Sequence, residues 1–246
     1  MSKDWTGNKR STFATLGASN HTDHERQVHD FYATEPIAID MLAQTGFFTH
    51  VEEVWEPAVG GGHLAKRMED LGLKVVSSDL HDYGFIPNFK PQDFLEAEEL
   101  PPDTDAIVTN PPYKYALEFC QKCVDLEVLK FAMFLKLTFL EGAKRQEFFQ
   151  KYPPKQVAVC VNRVQCALNG DAEMFAKSSA ACYAWFIWEN GYQGHPEVLW
   201  LTKKPIKDKY WCPACGEFFS PDLNEPEIYA DVCPNCHWAP ANEIKN

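Results

Sequence analysis

The chain has 246 residues, a formal net charge of −12 and 45% hydrophobic residues. That length suits one large domain, or one domain of roughly 200 residues with a small appendage, and the charge argues against indiscriminate nucleic-acid binding, which depends on lysine and arginine neutralising phosphates. No apolar run approaches the roughly 18 residues of a membrane span, and the polar opening MSKDWTGNKRST lacks the apolar core of a secretion signal, so a cytoplasmic protein with no membrane partner is expected.

Residues 1–28 are polar and read as a flexible arm. DFYATEPIAIDML (30–42) reads as a turn leading into an amphipathic helix, with Thr34 as its cap and Pro36 in its first turn. Strands and helices then alternate. Strands are expected over 51–58, 74–80, 105–109, 129–137, 156–164 and 184–190, and helices over 63–72, 115–126 and 141–152. EVLWLT (197–202) is a candidate extra edge strand. Such alternation predicts an α/β domain over 29–203, a mostly parallel sheet with helices on both faces. After Lys204 aliphatic residues thin out; 204–246 reads as a second domain, with a linker near 203–209.

Ligands of such sheets bind beyond the carboxyl ends of the strands, and two unusual segments fall there. EPAVGGGHLAKRM follows a strand and opens a helix. Gly60 and Gly62 permit positive φ and close approach of a ligand to backbone. The spacing is not G-x-G-x-x-G, so a diphosphate is disfavoured. Asp79 ends the next strand, where a carboxylate can take both hydroxyls of a ribose, and Asp93 is placed to accept from an adenine amino group. These residues describe an adenosine-containing ligand without a diphosphate, which S-adenosylmethionine fits. The second segment is DAIVTNPPY, an apolar strand stopped by Asn110, Pro111, Pro112 and Tyr113. The Asn110 side-chain oxygen and the Pro111 carbonyl can each accept a hydrogen from one –NH2 group, and the prolines hold those acceptors ready. Two acceptors draw a delocalised nitrogen toward tetrahedral geometry and free its lone pair, while Tyr113 is expected to stack on a flat substrate.

In this order and spacing, EPAVGGGHL, SSDL, QDFL and NPPY resemble the amino-methyltransferases that modify adenine in DNA. DFYATEP resembles their methionine-side motif; FLKLTFLEGAKRQEFFQKYPP and YAWFIWENGYQG resemble a family of phage and prophage DNA methyltransferases. The resemblance implies a Rossmann-like seven-stranded methyltransferase fold in an infected or lysogenic bacterial cell. It implies Tyr32, Thr34 and Pro36 near the methionine end of the donor, Gly60 and Gly62 flanking it, Asp79 on its ribose and Asp93 on its adenine. Glu56, where aspartate is common in the family, and Pro57 fall in the same donor site. It implies duplex DNA as partner, with the target adenine extruded; Phe175 is a candidate second clamp for that base. Arg163 and the basic stretch 130–155 are candidates for phosphate contact. NPPY also occurs in glutamine methyltransferases of release factors and in ribosomal RNA methyltransferases, so amide and RNA substrates stay open, as does a weakly catalytic adaptor.

WCPACGEFFS and VCPNCHW place Cys212, Cys215, Cys233 and Cys236 in a C-x2-C-x17-C-x2-C pattern. Four thiolates so spaced can hold one structural zinc tetrahedrally, making 204–246 a zinc ribbon. The metal would then supply much of the folding energy of so small a module. The ribbon's expected contact is DNA or a protein partner. Cys120 and Cys123 form a further C-x-x-C on a helix and read as half-buried packing.

Overall fold

The computed structural model describes residues 32–168 and 181–203, with the short pair 210–211 and 218–219. In chain order these are β1 (Tyr32–Thr34), α1 (Ile37–Ala43), β2 (Glu53–Glu56), α2 (His63–Asp70), β3 (Lys74–Ser77), β4 (Ala106–Thr109) and α3 (Ala116–Asp125). Then follow β5 (Lys130–Lys136), α4 (Ala143–Lys151), β6 (Gln156–Cys160), β7 (Cys166–Leu168), β8 (Tyr183–Glu189), β9 (Glu197–Leu201), β10 (Tyr210–Trp211) and β11 (Phe218–Phe219). No helix among the described residues is long and apolar enough to cross a membrane.

Seven strands form one sheet in the order β3-β2-β4-β5-β8-β6-β9. All neighbours are parallel except β8, which runs antiparallel to both β5 and β6. Alternate residues of each strand feed opposite faces. Val54, Ala106 and Val108 join Ile39, Leu42, Leu64 and Met68 under α1 and α2. Trp55, Ile107 and Phe131 join Phe119, Cys120 and Phe148 under α3 and α4. Buried indoles need acceptors: Trp55 Nε1 donates to Ser78 Oγ at 2.9 Å and Trp185 Nε1 to the Ala38 carbonyl at 2.7 Å. At the β3 edge, Asn88 substitutes for a neighbouring strand. Its Oδ1 accepts from the Ser77 N–H at 2.8 Å and its Nδ2 donates to the Val75 carbonyl at 2.6 Å, which occupies backbone groups that would otherwise invite pairing.

Four expectations change. The segment before α1 is not a turn capped by Thr34. Residues Tyr32–Thr34 pair antiparallel with Cys166–Leu168, and Pro36 takes the cap position with no side-chain cap bond. The strand expected over 156–164 stops at Cys160, because Val161, Asn162 and Arg163 turn out to solvent before β7. The basic stretch is also divided: Lys130 and Lys136 sit at opposite ends of β5, roughly 20 Å apart at strand rise. Lys130 donates to the Thr49 carbonyl, Arg163 to the Ala181 carbonyl, and Lys155 pairs with Glu189. Cys120 and Cys123 are fully buried on α3, and burial pushes both thiols up, which removes them from thiolate chemistry. The arm 1–28, Phe175 and the four C-terminal cysteines lie outside the described residues.

Candidate active site

The chain passes from β2 outward to β3 and returns to β4 on the other side of β2. Loops leaving neighbouring strands therefore diverge there and leave a crevice at their carboxyl ends. A cavity of about 450 Å3 occupies it, within the roughly 300–1,000 Å3 of small-molecule sites. Its walls come from four places in the sequence: the end of β1, the turn after β2, the loop after β3 and the turn after β4.

The turn after β2 brings Glu56 and Pro57 to the cavity. Glu56 is 2% exposed, its carboxyl accepts from the Ala65 N–H in the first turn of α2, and its Oε2 has no partner among the described residues. Burial first, then the neighbouring Asp79, raises its pKa well above the ordinary value. A buried acid with an open oxygen at a cavity wall is costly unless a ligand supplies a donor or a positive charge. Gly60 and Gly62 lie behind the wall, and Gly61 between them lines it. Gly62 begins α2 at φ +75°, and a Cβ there would fall 2.2 Å from the Phe85 ring. The glycine thus serves close packing of the loop after β3.

Asp79 links the two loops. Its Oδ2 accepts from the Gly60 N–H at 2.8 Å and its Oδ1 from the His81 N–H at 3.0 Å. Burial raises its pKa, opposed by those backbone donors. Asp93 also lines the cavity; its Oδ1 accepts from the Leu95 N–H at 2.9 Å and caps a short 3-10 turn. Its neighbour Phe94, together with Tyr83 and Phe119, gives this end aromatic walls. His63, at the start of α2, is pushed down by burial and by Lys66, so a neutral imidazole lines the wall.

At the end of β4, Asn110, Pro111, Pro112 and Tyr113 all border the cavity. Asn110 Nδ2 donates to Thr34 Oγ1 at 2.8 Å. That bond holds the amide nitrogen toward β1. Thr34 in turn bonds to Cys166, which also receives the Tyr113 hydroxyl at 3.7 Å. The β1–β7 pair therefore braces the Asn-Pro-Pro-Tyr turn from outside the main sheet. Burial is the leading reason that the Tyr113 phenol is pushed well up. Lys136 Nζ stands 4.7 Å over its ring, with Tyr183 at 6.3 Å between centroids.

Of the residues singled out in the sequence, Thr34, Glu56, Pro57, Asp79, Asp93 and Asn110 through Tyr113 converge on this cavity. Gly60 acts through Asp79, Tyr32 contributes backbone to β1, and Pro36 is exposed at the start of α1. His63, His81, Tyr83, Phe94, Tyr115 and Cys166 were not singled out for the site. Each sits in or within a few residues of a motif or on β7, and adjacency to a motif is the signal that marks the first five.

No protein-family model matches the chain, and no curated protein sequence matches it. Among solved structures it is similar to the 23S rRNA methyltransferase ErmE, at 18% identity and TM-score 0.41, over 65% of this chain and 69% of that one. It is similar to a dimethyladenosine transferase from Plasmodium falciparum, at 15% identity and TM-score 0.44, over 64% and 62% of the two chains. It is also similar to a modification subunit of a putative type I restriction enzyme from Vibrio vulnificus YJ016, at 14% identity and TM-score 0.46, over 78% of this chain and 50% of that one.

Proposed function

We propose that the protein is an S-adenosylmethionine-dependent methyltransferase acting on the exocyclic amino group of adenine in DNA, with a structural zinc held by Cys212, Cys215, Cys233 and Cys236. The observation that carries the reading is convergence: an Asn-Pro-Pro-Tyr turn, the acid that ends β2 and two acids of the loop after β3 open into one cavity. The open Glu56 oxygen suits the cationic methionine end of the donor. Asp79 suits a ribose, and Asp93 with its aromatic neighbours suits a purine. S-adenosylmethionine supplies an electrophilic sulfonium methyl. The chain's own residues hold and orient the amino group: Asn110 Oδ1 and the Pro111 carbonyl accept hydrogen bonds from its two N–H groups, and the prolines prevent those acceptors from relaxing away.

The test is incubation with methyl-labelled donor and, in parallel reactions, duplex plasmid DNA, RNA or cell extract, followed by analysis of the labelled product. Label in N6-methyladenine is expected. Label found only in RNA or in protein would remove DNA as the substrate while leaving the donor assignment standing, and failure to bind the donor would remove both. Asp79→Ala is expected to weaken donor binding by roughly 10–100-fold, the value of hydrogen bonds to a charged group. Titration calorimetry measures it, and an unchanged dissociation constant contradicts the ribose assignment.

A further inference from the structure

Strand β9 closes one end of the sheet, with Val198 beside Val157 and Trp200 beside Val159 of β6. Laterally paired residues share a face. Val157 is buried and Val159 half-buried, but Val198, Trp200 and Val161 are 48%, 69% and 51% exposed. Helical cover on this face, carried by Phe148, Phe149 and Tyr152, thus ends over β6. Edge strands usually carry lysine, proline or a bulge that blocks association; β9 presents valine and tryptophan.

The chain leaves β9 at a fixed point. Gln44 Nε2 donates to the Thr202 carbonyl at 3.0 Å, the Lys203 N–H donates to Asn162 Oδ1 at 2.8 Å, and the Lys203 ammonium pairs with Glu35. The next described backbone is the antiparallel β10–β11 pair, with Tyr210 opposite Phe219 and Trp211 opposite Phe218. The segment it belongs to carries Tyr210, Trp211, Phe218 and Phe219, and a lone two-stranded ribbon is marginal in water without something to pack on. A module of about 40 residues has little core of its own. Seven residue steps separate Lys203 from Tyr210, at most roughly 25 Å of chain, and Trp200 is three residues before Lys203. A tether this short holds the ribbon near the strip at millimolar effective concentration.

We propose that residues 204–246 dock on the β9 edge, the segment that holds β10 and β11 covering Val161, Val198 and Trp200. The contact makes the C-terminal module part of the same body as the sheet and independent of the catalytic turn. The test is hydrogen–deuterium exchange on the full chain, comparing the parent with Trp200→Glu, Trp200→Phe and Val198→Lys. In both charged variants, peptides covering 208–220 are expected to exchange at least tenfold faster, with β4 and β5 unchanged; Trp200→Phe keeps the parental rate. Unchanged exchange over 208–220 in either charged variant, with the core intact, overturns the proposal. Light scattering is expected to give a monomer, and a dimer dispersed by Trp200→Glu would assign the strip to a second copy and overturn it equally.

Discussion

Asn110→Ala is expected to reduce methyl transfer by at least roughly 10²–10³-fold, the loss typical of removing one preorganised group from a reacting centre. Donor affinity is expected to stay within about twofold of the parent, because Asn110 sits at the acceptor end of the cavity and the donor's charged groups are assigned to Glu56 and Asp79. Labelled-methyl incorporation and titration calorimetry on one preparation separate the two effects. The brace behind Asn110 provides a graded control. Thr34→Val removes the oxygen that receives Asn110 Nδ2 while keeping shape and volume, so turnover falls less than in Asn110→Ala. Turnover in Asn110→Ala equal to the parent would remove the amide from the chemistry altogether.

Glu56→Gln is expected to act on stability and on donor binding with opposite signs. In the empty protein the carboxyl is buried beside Asp79, with its pKa raised above the ordinary 4.5. Between those two values the unfolded chain gives up the proton while the folded chain keeps it, so the parent loses stability as pH rises. The variant has no proton to lose. Its advantage in denaturant unfolding therefore opens above pH 4.5, grows with pH and levels off above the folded value. The same change removes the countercharge for a cationic donor, and affinity is expected to fall roughly 10–100-fold. A carboxylate retained for structure alone would give the reverse pair: lower stability at neutral pH and unaltered affinity. Unfolding curves at several pH values, paired with donor titrations, decide between them.

The central strands were legible because each is a short apolar run ended by a residue that cannot continue it. Ala106–Thr109 ends at Asn-Pro-Pro, and Lys130–Lys136 has five buried residues in succession. The site was legible where chemistry and a strand end coincide, as at Glu56, Asp79 and Asn110. The β1–β7 pair was not. Each member has three residues, too few for a period to show, and their pairing depends on tertiary placement. The role of Thr34 was misread for that reason: a threonine before Glu-Pro looks like a helix cap, and only the fold brings Asn110 to it. The state of Tyr113 was equally hidden. Its aromatic character is plain in the sequence, but the Lys136 ammonium over its ring and the thiol at its hydroxyl come from β5 and β7.

The contacts that close this wall of the cavity join distant parts of the chain. Thr34 and Asn110 are 76 positions apart, the Gln165 N–H and Glu35 130, and Lys203 and Glu35 168. A ribosome emitting the chain from its amino end thus releases Thr34 and the Asn-Pro-Pro-Tyr turn long before β7, Gln165 and Lys203, which steady β1 behind that turn. Until the segment beyond β6 has emerged, the nascent protein has the turn but not its support. Ligand competence is then acquired late in synthesis and abruptly, and a polypeptide interrupted before β7 would carry every sequence motif of the site while lacking the wall that holds them in place.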